Sequence, residues 1–556
     1  MTRATNVGRY LIQRLEQAGV QHVFGIPGDY VIRFFDLLVD SEIQVVGMCA
    51  EAGAGFAADA YARINGLGVL CVTYCVGGLS TVNAVAGAYA EKSPLVVISG
   101  SPALSERSSS SLLHHQVRGF RTQLEIFEKM TVAGTALEDP ATAGQQIDAC
   151  LAACVRFKRP VYIELPRDVV DRPCQSPLAL RAHREKSDVA ALQEAVHEAA
   201  DMLRSANRPV ILAGVEIHRF GLQEQLLKLV QRTGYPVAAT LLGKSVISER
   251  HTQYLGVYEG AMGREQVRRV VESADCVLIL GAFMTDINLG IYTANLDESR
   301  AINVTSERVS IKHHHFENIV LKDFITGLTK SRIGPRRRMM TTKASSKAKP
   351  FRAQTNKAVT VRRFFERMND LLDEDTIVIA DIGDSLFGAA DLTIHRRTEF
   401  ISPAYYTSMG FAVPAAVGAQ IGNRRLRPIV FVGDGAFQMT GHELGSVSRY
   451  DLNPIVFVLN NKGYTTERFI HEGPYNDIHE WAYHLWPQLT RKGWGAEVRK
   501  EGELEEALDY ALANTKSYSI INVHLDPLDR SQALDRLGRR LRRRVGCGGD
   551  AIRSRR

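Results

Sequence analysis

Short runs of aliphatic and β-branched residues, each closed by a polar or glycine turn, alternate along this chain with stretches of helical spacing. In the first third, His22-Val23-Phe24-Gly25 leads into the turn Ile26-Pro27-Gly28-Asp29. Strands are expected at Gln44 to Cys49, Val69 to Tyr74, Leu95 to Ser99 and Val161 to Leu165. The middle third places them at Pro209 to Gly214, Val237 to Thr240, Cys276 to Leu280 and Ala301 to Val304. The last third places them at Thr376 to Ala380, Ile429 to Val432, Ile455 to Leu459 and Ser519 to Val523. Apolar strands separated by helices pack as parallel sheets with helices on both faces. The expected fold is therefore α/β: three consecutive doubly wound parallel-sheet domains, with the first and third of similar size and rhythm.

Breaks in the pattern set the boundaries. Residues 1–175 form an N-terminal domain, and a Pro- and charge-rich link follows. Residues 186–333 form a Rossmann-like central domain without a GxGxxG turn or any catalytic constellation. Residues 334–355 (GPRRRMMTTKASSKAKP within them) lack apolar periodicity and read as a linker. A C-terminal domain spans 356–527, and 528–556 read as a basic tail. The helix opening at Glu51, EAGAGFAADAYAR, is too rich in small residues to suit a helix standing alone. It suits one pressed against another backbone, and a subunit interface is the expected partner.

Composition narrows the classes. With 45% hydrophobic and 23% charged residues in 556, the chain has the balance of an ordinary globular protein too long for one core. No apolar stretch nears the roughly 20 residues of a membrane span. The charged, amphipathic start does not resemble a secretory signal, so the cytoplasm is the expected location. The net charge of +7 owes much to the arginines of Leu537 to Arg544, but no aromatic stacking residues accompany them, and no nucleic-acid partner is expected. The eight cysteines lack paired CxxC spacing, so neither a zinc site nor a disulfide framework is expected. His313-His314-His315 reads as a surface run, because consecutive residues of one element point in different directions.

One stretch carries chemistry on its face: Ile429 to Gly463, IVFVGDGAFQMTGHELGSVSRYDLNPIVFVLNNKG. Strand, crossover helix and strand of this length make a right-handed parallel βαβ unit. Asp434 and Asn461 then fall just past the carboxyl ends of two parallel strands, where open α/β sheets bind ligands. A carboxylate, an amide oxygen and the carbonyl of Gly463 are hard oxygen ligands suited to Mg²⁺. Gly433 and Gly435 would let a diphosphate approach the backbone at the start of the next helix.

GDG followed by about two dozen residues and NN resembles the cofactor motif of thiamine-diphosphate-dependent enzymes. Asp29 in IPGDY, His114-His115 in LLHHQV and Glu467 in GYTTERFIH add a closer resemblance. So do GAYAEKSP, IGDS, SMGFAVPAA and GPYNDI. Together they resemble the 2-oxo acid decarboxylases of the pyruvate, indolepyruvate and phenylpyruvate decarboxylase type over nearly the whole chain up to about residue 527.

The resemblance implies roles by position. Glu51 would hydrogen-bond the aminopyrimidine of thiamine diphosphate, a task needing a carboxylate in a pocket of low polarity. Asp434, Asn461 and Gly463 would hold Mg²⁺. Gly383, Asp384, Ser385, Gly433 and Gly435 would meet the diphosphate end, with Met409 under the bent cofactor. Glu467 would face the leaving carboxylate, while Asp29, His114 and His115 handle protonation and aldehyde release as a coupled set. The substrate pocket would comprise Ile287, Leu386, Phe387, Thr466 and Ile470. Pyruvate-specific relatives carry bulky aromatics at the positions of Ile287 and Leu386. The smaller aliphatics here imply a roomier cavity, for an aromatic (indolepyruvate- or phenylpyruvate-like) or branched 2-oxo acid. A homodimer or homotetramer with active sites between subunits is implied too. Two alternatives stay open: a carboligase of the acetolactate synthase type, and a non-catalytic scaffold acting through its basic tail.

Overall fold

The computed structural model describes residues 5–107, 112–174, 185–334, 350–395 and 399–537. The proposed linker from 335 to 349, most of the arginine run and Cys547 lie outside these residues. The chain divides into two compact units, Met1–Arg184 with Tyr406–Pro428 and Thr440–Pro454, and Glu185–Tyr405 with Ile429–Met439 and Ile455–Arg556. No described helix is long and apolar enough to cross a membrane.

The main sheet of the first unit has six strands: β1 (His22–Gly25), β2 (Gln44–Gly47), β3 (Gly68–Val72), β4 (Leu95–Ser101), β5 (Ala133–Ala136) and β6 (Val161–Pro166). They pair in the order β2-β1-β3-β4-β6-β5, all parallel. β3, β4 and β6 are buried on both faces, which is why they read as unbroken apolar runs.

The central sheet comprises β7 (Pro209–Ala213), β8 (Val237–Ala239), β9 (Tyr254–Val257), β10 (Cys276–Leu280), β11 (Ala301–Val304), β12 (Val309–Ile311) and β13 (His314–Phe316). Its order is β9-β8-β7-β10-β11-β12-β13. The last two strands run antiparallel to their neighbours, a hairpin departure from the otherwise parallel sheet. The histidine run lies on that edge, with His314 Nδ1 at 3.0 Å from Glu198 and His315 Nδ1 at 3.0 Å from Ser310 Oγ, so the rings go separate ways.

The C-terminal sheet comprises β14 (Thr376–Ala380), β15 (Glu399–Ile401), β16 (Arg427–Gly433), β17 (Ile455–Asn460), β18 (Trp494–Val498) and β19 (Ser519–His524). Its order is β15-β14-β16-β17-β19-β18. Counted from its own first strand, this is the order of the N-terminal sheet.

Two sequence expectations change. The small-residue helix α1 (Glu51–Asn65) finds its close backbone partner in this same chain, in the helix Ala412–Gly422. A Cβ added at Gly418 would lie 1.8 Å from the Ala57 carbonyl oxygen, so only glycine permits the contact. A second subunit is not needed to explain the composition. Residues 528–537 are likewise not a free tail. Ala533, Leu534 and Leu537 are buried with Met262, Ile291, Phe387 and Phe469, because their spacing puts three apolar side chains on one face of a helical turn.

Candidate functional site

In the first unit, the tips of β1 and β2 carry the acidic residues. Glu51 is the first residue of α1, where a helix start needs acceptors for its free N–H groups. The residue before it, Ala50, has no side chain to cap with. Glu443 does this work from far along the chain. Its fully buried carboxylate accepts from the backbone N–H of Cys49 (3.1 Å) and Ala50 (3.0 Å), and from the Ser446 hydroxyl (2.6 Å). A Cβ on Gly53 would fall 2.0 Å from Glu443 Oε1, so glycine makes room for the cap. Glu443 thus takes the N–H groups just ahead of the helix, and no hydrogen bond among the described residues engages the half-buried carboxylate of Glu51. Glu443 went unnoticed in the sequence reading. Its one signal is an acid three residues into a GHEL turn, nine positions past Asp434.

Asp29 Oδ2 lies 2.8 Å from His114 Nε2, and Arg167 approaches the same oxygen at 3.8 Å. The Tyr30 ring stacks on His114 with centroids 4.7 Å apart, its hydroxyl 3.3 Å from Nδ1. His115 adopts φ +65°, a left-handed backbone that costs a non-glycine residue energy. That twist sets its ring edge-on to His114 at 4.8 Å instead of on the far side, and leaves its buried Nδ1 without a hydrogen-bond partner. Met409 is held by its neighbours: Asn83 donates to Ser408 Oγ (2.7 Å) and Thr440 Oγ1 to the Gly410 carbonyl (2.7 Å). Its own side chain stays partly exposed.

The second unit assembles the other residues at the tips of β14, β16 and β17. β16 and β17 run parallel, with Gly433 opposite Leu459, so the residues after them emerge side by side. Asp434 opens the helix that follows β16. Its carboxylate accepts from the N–H of Gly435 (2.8 Å) and Gly463 (3.2 Å), so the loop after β17 wraps around it. Burial pushes its pKa up to about 6 although those N–H groups pull the other way. Asn460 donates within the sheet to Asn522 Oδ1 (3.1 Å). The buried Oδ1 atoms of Asn460 and Asn461 both lack a hydrogen-bond partner, and Asn461 stands in the loop whose backbone meets Asp434. An orphaned amide oxygen in the loop whose backbone wraps a buried carboxylate fits a hard cation, since a buried acceptor left empty costs about 1–3 kcal/mol.

Gly383 and the helix α2 (Asp384–Ala389) follow β14. Asp384 is buried, its pKa pushed up to about 6 by burial, and its carboxylate takes the N–H of Ser531 (2.8 Å) and the Ser531 hydroxyl. Ser385 beside it is buried. Thr466 lies against Gly383, its hydroxyl 3.5 Å from where a Cβ would stand. Ile287 borders two buried clusters: Leu386 with Leu241, Ala390 and Ala404, and Phe387 with Met262, Ile291, Phe469 and Leu534. Ile470 is half-buried and joins neither, while Glu467 is exposed on the same short helix, Thr465–Ile470. Met262, Ile291, Phe469 and the 531–537 turn were missed by the sequence reading; the Ala533-Leu534-x-x-Leu537 spacing was their signal.

Known proteins match this chain along most of its length. Three family models match in order: thiamine pyrophosphate enzyme, N-terminal TPP binding domain, at residues 5–126; the central domain at 196–328; and the C-terminal TPP binding domain at 381–523. An indole-3-pyruvate decarboxylase of Azospirillum brasilense is 36% identical over 521 residues, covering 92% of this chain and 94% of the relative. A probable pyruvate decarboxylase of Schizosaccharomyces pombe is 32% identical, covering 96% and 95%. Pyruvate decarboxylase 4 of Arabidopsis thaliana is 32% identical, covering 97% and 92%. With three consecutive domain models matched and relatives matched over more than nine-tenths of the chain, the protein belongs to the thiamine-pyrophosphate-dependent 2-oxo acid decarboxylases.

Proposed function

We propose that the protein converts a 2-oxo acid to an aldehyde and CO₂ without oxidation, using thiamine diphosphate held by Mg²⁺, and prefers an aromatic or branched substrate. The observation that carries the cofactor part is the unpartnered, buried Asn461 Oδ1 in the loop whose backbone N–H groups hold the Asp434 carboxylate. Those two oxygens and the Gly463 carbonyl would hold the metal. Ser385, Gly383 and the backbone at Gly433–Gly435 would receive the diphosphate; the Asp384 carboxylate is already taken by Ser531 and would act by fixing this turn. Thiamine diphosphate, when bound, supplies the carbon nucleophile and the electron sink for decarboxylation.

The chain's own residues do the rest. Glu51, relieved of capping by Glu443, is free to hold a proton at the aminopyrimidine nitrogen. Asp29 and His114, 2.8 Å apart, form a pair through which a proton can pass, and the ring of His115 abuts His114. Groups in this role contribute about 10²–10⁴-fold each. Glu467 is assigned to the departing carboxylate. A proton-delivering trio favours release of an aldehyde over transfer to a second carbonyl, which sets this reading above a carboligase of the acetolactate synthase type. Ile287 and Leu386, in place of bulkier aromatics, support the preference for longer substrates, worth about 1–3 kcal/mol per methylene. The functional assembly in this reading is a homodimer or homotetramer.

The test is a CO₂-release assay with the protein reconstituted in thiamine diphosphate and Mg²⁺, on pyruvate, 4-methyl-2-oxopentanoate and indolepyruvate. Free aldehyde and higher kcat/KM on the two larger acids are expected. Acetolactate or another hydroxyketone as the main product overturns the reaction, and a clear preference for pyruvate overturns the substrate assignment.

A further inference from the structure

We infer that Asp29, His114 and His115 also form a binding site for a divalent transition-metal ion of the Zn²⁺ type, separate from the hard-cation site at Asp434. One ligand atom from each residue lies within 4.8 Å of the other two. Two imidazoles and one carboxylate with open positions are a recurrent set for borderline metals, which hard oxygen sites do not favour.

Three features build this site. Sequence-adjacent histidines ordinarily diverge, as His314 and His315 do on their edge strand. The left-handed φ of +65° at His115 folds the chain so that the two rings converge instead. The Tyr30 hydroxyl sits at His114 Nδ1, which leaves Nε2 as the nitrogen directed at Asp29; a partner on the far nitrogen is what orients a metal-binding imidazole. The buried Nδ1 of His115 has no partner to lose. Zinc bonds of about 2.0–2.2 Å need ligand atoms roughly 3.4 Å apart. The trio reaches that by side-chain rotation, because Asp29 and His114 are exposed. A bound ion would occupy the lone pairs that proton transfer uses, so filling the site stops turnover.

Binding stands on geometry alone, whereas inhibition rests on the catalytic reading above. The experiment separates them. Protein loaded with thiamine diphosphate and excess Mg²⁺ is titrated with ZnCl₂ by calorimetry, and turnover is followed in parallel. One Zn²⁺ per chain is expected, with turnover falling as the site fills and returning on chelation. Affinity should drop at least about tenfold in His115→Ala and in the conservative Asp29→Asn, and stay unchanged in His314→Ala. No zinc binding in the presence of Mg²⁺, or equal affinity in all variants, overturns the site. Stoichiometric zinc with undiminished turnover overturns the inhibition. Zinc binding by a protein inactive on every 2-oxo acid overturns only the catalytic reading.

Discussion

The N-terminal and C-terminal sheets share one strand order, yet they place their chemistry on different tips. In the C-terminal sheet the first and third strands, β14 and β16, are neighbours, and the chain leaves them toward opposite edges. Ligands settle at such a switch point, and Gly383 and Asp434 stand on either side of it. In the N-terminal sheet the corresponding neighbours are β1 and β3, but the free carboxylate follows the second strand, at Glu51. The two acids also differ in what they are spent on. Asp434 caps its own turn, taking backbone N–H groups from Gly435 and Gly463. Glu51 accepts no hydrogen bond among the described residues, while Glu443 takes the N–H groups of Cys49 and Ala50 just ahead of its helix. Topology therefore supplies positions, and local hydrogen bonding decides whether an acid there is tied into a loop, as Asp434 is, or left unengaged, as Glu51 is.

The sharpest way to break that contrast is to remove each acid. Asp434→Ala should abolish Mg²⁺-dependent binding of thiamine diphosphate, read by calorimetry, and turnover with it. Glu51→Gln should keep much of the diphosphate-end affinity while kcat falls at least about 10²–10⁴-fold. If the active sites of a homodimer draw on both subunits, co-expressing the two inactive variants restores about a quarter of the wild-type activity, since half the dimers are mixed and each holds one intact site. No recovery in mixed dimers refutes shared sites, and equal cofactor loss in both variants erases the distinction between the two acids.

Much of this frame was legible in the chain. All the interior strands but Val309–Ile311 were read to within a residue or two, because strands buried on both faces appear as apolar runs. The strands that escaped are mostly edges: Ala133–Ala136, Tyr254–Val257, His314–Phe316, Glu399–Ile401 and Trp494–Val498. An edge strand faces solvent and needs no such run. At the site, Asp434 and Asn461 were legible because one βαβ unit fixes their spacing. Glu443 was not, because its partners Cys49 and Ala50 lie almost four hundred residues away. Leu534 and Leu537 were hidden by the arginines around them.

A smaller effect sharpens the comparison at the helix starts. Glu443→Ala would leave two part-buried N–H groups at Cys49 and Ala50 without acceptors, at about 1–2 kcal/mol each. A loss of about 2–4 kcal/mol in unfolding free energy is expected by denaturant titration. Ser446→Ala, which removes one hydrogen bond to the same carboxylate, should cost only about 0.5–1.5 kcal/mol. Equal costs for both variants would mean that the carboxylate is not the cap.

The smallest effect concerns the pH response of Asp434 in the cofactor-free protein. Its folded pKa is raised to about 6 from the ordinary 3.8, so folding favours the protonated form. The ionised carboxylate then burdens the fold above about pH 6, and the burden disappears as pH falls below about 4. Asp434→Asn, which cannot ionise, should therefore raise the thermal midpoint of the cofactor-free protein at pH 7 and leave it unchanged near pH 4. Added Mg²⁺ and thiamine diphosphate should reverse the order at pH 7, since the metal uses the charge that burial penalises. A cofactor-free Asp434→Asn no more stable than wild type at pH 7 would mean that the carboxylate carries no strain for a cation to relieve.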